Sequence, residues 1–161
     1  MKRIALSLIL PVLLATLTAA EVAPKVGYQA PALQLNTLGG KTVSLAEQLG
    51  KKKTVLVFFT SWSRSCQAEL QALGELTAAQ PDKLRVLAVS FDKKSKELKS
   101  FIERTDPPFT VLHDQKLTSI DSYQILIIPT TFCLNRDGEI EQIFVDYDEN
   151  VREAIAAWLK D

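Results

Sequence analysis

The segment Phe58-Phe59-Thr60-Ser61-Trp62-Ser63-Arg64-Ser65-Cys66-Gln67-Ala68-Glu69-Leu70 decides how this 161-residue chain folds. It closes a continuous apolar run, Thr54 to Phe59, whose shortness and β-branched content read as a strand buried on both faces. After Ser61 to Ser65 the pattern changes to helical spacing, with Leu70, Leu73 and Leu76 on one side until Pro81 stops it. Strand therefore passes to helix across a short polar junction. Ser63 stands where its hydroxyl can accept the amide of Cys66 as a helix cap, and Ser65 or Arg64 would shift the boundary. Cys66 falls in the first helical turn, where unpaired amides favour thiolate over thiol if solvent reaches it.

Outward from the junction, the order of elements follows from patterning. Leu33 and Leu35, then Val43 and Leu45, alternate with polar residues on either side of Gly39-Gly40, a hairpin signal. Leu84 to Phe91 reads as a second buried strand, and Leu98, Phe101 and Ile102 behind Ser95 as a helix ending before Pro107-Pro108. Phe109 to Leu112 is a short apolar run, and Gln115 to Tyr123 supplies one or two helical turns. His113 reads as part of a short loop. Thr130 to Leu134 and Glu139 to Val145 flank Asn135-Arg136-Asp137-Gly138, a second hairpin. Val151, Ala154, Ile155, Trp158 and Leu159 mark a closing amphipathic helix, with Trp158 in the core. Strands alternating with helices before a terminal hairpin predict one α/β domain, a mixed sheet with helices on both faces.

Composition narrows the function. Nineteen basic residues against nineteen acidic give no electrostatic footprint for nucleic acid. Two cysteines, Cys66 and Cys133, are too few for a disulfide framework, and the single His113 excludes a histidine-built metal site. No cofactor is expected. Lys2 and Arg3 precede an apolar stretch from Ile4 to Leu17 that gives way to Thr18, Ala19 and Ala20, the pattern of a secretory signal. It is short for a membrane span and interrupted by Pro11; retained, it would be an N-terminal anchor. The expected division is a signal peptide over 1–20 and a domain over 21–161, exported to an oxidising compartment such as the bacterial periplasm.

The junction resembles the thioredoxin-fold proteins of the TlpA/ResA type, exported thiol–disulfide oxidoreductases marked by an aromatic strand, a Trp, Cys-x-x-Cys and a helix. The resemblance extends through Ile128-Pro129-Thr130-Thr131-Phe132, similar to that family's cis-proline loop, into Asn135-Arg136-Asp137-Gly138, and covers residues 24 to 161. It implies a thioredoxin-like sheet with an added N-terminal hairpin, a partner-binding rim at Trp62, Arg64, Ile128 and Pro129, and a protein or peptide thiol or disulfide as partner. In that family an exposed first Cys attacks a disulfide and the second resolves the mixed disulfide.

Here Ser63 stands at the attacking position and Cys66 alone remains, at the resolving one. Serine has no thiolate and forms no disulfide, so this pair cannot cycle. Val57 also occupies the place, six residues before Ser63, where thioredoxins carry a buried acid. Three readings stay open. Trp62, Cys66 and Pro129, kept around the altered position, favour single-thiol chemistry, in which an accessible, acidic Cys66 forms mixed disulfides. A redox-inactive module would keep only the fold and the cis-proline groove. A thiol peroxidase would use Ser63-x-x-Cys66 as peroxiredoxins use Thr/Ser-x-x-Cys, against the Phe59 that replaces their proline and the lack of an activating Arg near Ile128-Pro129. Cys133 reads as a core residue, with a Cys66–Cys133 disulfide as the alternative, while Glu69 and Arg64 read as solvated helix residues.

Overall fold

A computed structural model describes residues 23–160, and the expected signal segment lies outside them. Strands β1 (Gln34–Asn36) and β2 (Thr42–Ser44) form the first hairpin, turning through Gly40 at φ +81°. Leu45, expected to continue the strand, instead opens the one-turn helix α1 (Leu45–Gln48). Its amide still donates to the Leu33 carbonyl and its side chain is buried, so alternation alone could not separate the two conformations. Then come β3 (Lys53–Phe59), α2 (Arg64–Ala79), β4 (Leu84–Ser90), α3 (Ser95–Thr105) and β5 (Thr110–His113). The one-turn α4 (Ile120–Tyr123), β6 (Thr130–Leu134), β7 (Ile140–Val145) and α5 (Glu149–Trp158) complete the chain.

The seven strands form one mixed sheet in the order β2-β1-β5-β4-β3-β6-β7. β3, β4 and β5 run parallel; β6 joins β3, β7 joins β6 and β1 joins β5 antiparallel. His113 corrects the sequence reading: it closes β5, opposite Ser90 and Asn36, rather than lying in a loop. Its Nε2 sits 2.7 Å from the Asp92 carbonyl oxygen.

Alternation along β3 sends its side chains into two cores. Val55, Val57 and Phe59 pack with residues of α2, α3 and α5, among them Leu70, Leu73, Leu98, Phe101, Ile155 and Trp158. Leu56 and Phe58 face the other side, covered by the first hairpin, α1 and α4. There Phe58 sits 4.8 Å from the Tyr123 ring centroid and 5.9 Å from that of Phe132. Each such fully buried aromatic contributes about 2–3 kcal/mol of hydrophobic stabilisation. Both faces are thus covered, with the three long helices all on one side.

The second hairpin requires glycine at Gly138. Its φ is +87°, and a Cβ there would lie 2.5 Å from Leu49 Cδ1. Among the described residues no helix is long and apolar enough to cross a membrane.

Candidate functional site

Register builds the site. Phe58 pairs with Thr130, and Thr130 with Val145, so the residues after β3, before β6 and after β7 leave the sheet at the same end. The first of these loops is clamped by Asp92, a buried carboxylate that accepts from the Ser61 amide at 2.9 Å, the Ser61 hydroxyl at 2.8 Å and the Ser90 hydroxyl at 2.7 Å. Gln67 adds a second restraint, its Nε2 donating to the Ser61 carbonyl at 2.6 Å. With its neighbour held, Trp62 stands 69% exposed. In the second loop Leu126 is 93% and Ile127 53% exposed, while the Ile128–Pro129 peptide is cis and Pro129 is buried. That loop is fixed by Thr130 Oγ1 donating to the Ile127 carbonyl (2.6 Å) and by the Asp146 amide donating to the Pro129 carbonyl (2.8 Å). Asp146 adopts φ +66° and accepts from the Ser65 hydroxyl at 3.1 Å, which ties β7 to the start of α2. The outcome is an apolar rim on a rigid base, formed by Trp62, Leu126, Ile127 and the exposed Val145.

Beneath the rim the chemistry is spare. Ser63 is the N-cap of α2, its Oγ accepting the Cys66 amide at 3.4 Å. Cys66 has no exposed surface. Burial pushes its thiol above the ordinary value, hydrogen bonds from Ser63 and Thr60 oppose the rise, and the Glu69 charge adds to it. The helix-terminal position therefore loses to desolvation, and the accessible, acidic thiol that single-thiol exchange and peroxide reduction both require is not what the fold presents. Cys133 lies opposite Val55 in the same core, its thiol pushed up by burial and by the Glu69 and Glu141 charges, with Lys53 opposing. Both cysteines are free, so the alternative of a Cys66–Cys133 disulfide is not realised.

Glu69 corrects its reading as a solvated residue. It is only 1% exposed, accepts from Thr131 Oγ1 at 2.5 Å through Oε1, and its Oε2 has no hydrogen-bond partner among the described residues. Burial raises its carboxyl to about 7, with the Thr131 hydrogen bond opposing and the Asp146 charge adding. A signal for this existed. Cys66, Glu69, Leu70 and Leu73 lie at i, i+3, i+4 and i+7, the inward stripe of α2. Arg64 is exposed at the helix start and Ile128 half-buried between the two cores. The part of the Asp92 clamp that holds the loop carried no local sequence signal, since Ser61 lies 31 residues away. Among the described residues no group of three or more His, Cys, Asp or Glu could hold a metal ion.

Comparison with known proteins adds an independent line. The sequence model of the AhpC/TSA family matches residues 26–143. The thioredoxin-like protein YneN of Bacillus subtilis is 37% identical over 128 residues, covering 78% of this chain and 74% of YneN. The thiol-disulfide oxidoreductase ResA of Bacillus cereus is 26% identical over 137 residues, 84% of this chain and 78% of ResA. Among solved structures, StoA from Bacillus subtilis superposes with a TM-score of 0.63 at 28% identity, over 77% of this chain and 96% of StoA. The fold is thioredoxin-like.

Proposed function

This chain belongs to the AhpC/TSA family, among thioredoxin-like relatives of ResA-type thiol–disulfide oxidoreductases, and from that premise we propose that it is a redox-inactive binding module. It holds an extended peptide or a partner protein against the rim of Trp62, Leu126, Ile127 and Val145, beside the cis-Pro129 loop, and does not turn over disulfides by itself. One contrast carries the reading: Trp62 is 69% and Leu126 93% exposed, whereas the only thiol of the motif, Cys66, is fully buried. An attacking thiolate must reach a substrate sulfur. An apolar rim on a fixed base needs only contact. Export belongs to the same proposal, supported by the Lys2-Arg3 start, the apolar run to Leu17 and the small residues before Glu21.

Single-thiol exchange is the second reading, favoured by the hydrogen bonds from Ser63 and Thr60 that act against burial at Cys66. One experiment separates the two. Binding of a reduced, carboxymethylated unfolded protein is followed by fluorescence anisotropy for the wild-type chain, Cys66→Ala and Trp62→Ser, alongside alkylation of Cys66 in the native state. The binding reading expects affinity indifferent to Cys66→Ala, weakened by Trp62→Ser, and slow alkylation. Fast alkylation at neutral pH with a trappable mixed disulfide, or binding indifferent to Trp62→Ser, overturns it. Mass spectrometry of the secreted chain, expected to begin at Glu21, checks the export claim.

A further inference from the structure

Away from the rim, a cleft of about 380 Å³ opens between α2 and α3. Its walls are apolar: Leu70 from α2, Phe101 from α3, and Pro107 and Pro108 from the turn that follows. Gly74 lines the α2 side, and its missing side chain leaves the space open towards Pro108. A lone apolar groove says nothing about its occupant. Here the polar groups around it do.

Each of those groups but one is already committed. Gln67 holds the Ser61 carbonyl, Gln71 Nε2 donates to Glu75 at 3.4 Å, and the Thr105 hydroxyl donates to the Phe101 carbonyl at 2.9 Å. The exception is Arg104. Its guanidinium lies 5.7 Å from the Phe101 ring centroid and enters none of the ion pairs among the described residues. A planar, permanently charged fork beside an apolar slot is suited to a carboxylate on an apolar body.

We propose that the α2–α3 cleft binds a small apolar carboxylic acid, its hydrocarbon or ring against Leu70, Phe101 and Pro108 and its carboxylate on Arg104. The volume is at the small end of the range for ligand pockets, which suits a single ring with a short acid tail. Gln67 contributes to the cleft wall and also to the Ser61 restraint, so an occupant there touches the residue that anchors the Trp62 loop.

The test uses the purified chain with hydrocinnamate as probe and hydrocinnamide as its neutral counterpart, mapped by amide chemical shifts. The expected result is saturable binding with shifts centred on Gly74 and Phe101, and the acid bound about tenfold more tightly than the amide. Arg104→Gln, an exposed position, should remove the preference for the acid over the amide. Gly74→Leu should abolish both. Shifts centred on Trp62 and Leu126, equal affinity for acid and amide, no saturable binding, or binding that survives Gly74→Leu would each overturn the proposal.

Discussion

The hydroxyl of Thr131 donates to the carboxylate of Glu69 across 2.5 Å, joining β6 to the inward face of α2 beneath the rim. That one hydrogen bond leaves the other carboxylate oxygen without a partner among the described residues, and burial lifts the carboxyl to about 7 from an ordinary 4.5. The folded chain therefore holds this proton more tightly than the unfolded chain does. Its contribution to stability is greatest below about 4.5, falls as pH rises towards 7, and is constant above. The loss amounts to about 3 kcal/mol. Glu69→Gln keeps the shape and an acceptor for Thr131 without the charge. Urea unfolding at pH 5 and pH 8 should show the variant losing less stability than wild type over that interval, by that order of magnitude. Parallel pH profiles for the two proteins would refute the assignment.

Replacing Ser63 is the direct probe of the proposed redox inactivity. Ser63→Cys should let the chain form an intramolecular disulfide with Cys66, detected as a mass about 2 Da below the reduced form, and should raise insulin-reducing activity above that of wild type. Loss of the serine cap will cost about 1 kcal/mol of stability. A variant that forms no disulfide would show that Ser63 is not what bars cycling, with Val57 and the burial of Cys66 as the next candidates.

How far the sequence foretold this molecule depends on the range of the forces involved. β3 and α2 were legible because apolar run and helical spacing are local, and the loop at Ile128-Pro129 because a short motif carries it. Ser63 as a cap was legible because its partner is three residues on. The burial of Cys66 and Glu69 was decided by what packs over α2, which involves Thr131 and the other side of the core, 62 residues away for that hydrogen bond. The stripe at Cys66, Glu69, Leu70 and Leu73 nevertheless points inward, against the general preference of glutamate for solvent. At Leu45 the pattern is ambiguous for the opposite reason, since strand and one-turn helix bury the same side chain.

The Asp92 clamp should matter to Trp62 more than its distance in sequence suggests. Asp92→Ala removes the acceptor of three hydrogen bonds and leaves the Ser61 amide and the two hydroxyl protons without that acceptor in a buried place. The expected loss is about 3 kcal/mol. Hydrogen exchange should quicken first at Ser61, and Trp62 fluorescence anisotropy should drop in the folded variant as the loop gains freedom. A stability change within about 0.5 kcal/mol of wild type, the range of an ordinary surface substitution, would show that the loop is held by other contacts.

Two glycines make opposite predictions for the same substitution. Gly74 lies inside α2 without a left-handed backbone, and an added Cβ would meet Pro108 Cδ at an ordinary 3.5 Å. Gly74→Ala should therefore stabilise by about 0.5–1 kcal/mol, through reduced freedom of the unfolded chain. At Gly138 the backbone is left-handed, φ +87°, and a Cβ would press on Leu49 Cδ1. Gly138→Ala should cost about 1–2 kcal/mol for the backbone alone, with Leu49 forced to turn aside. Thermal unfolding of the pair gives the answer. A melting temperature raised by both or lowered by both would contradict the local geometry at one of the two positions.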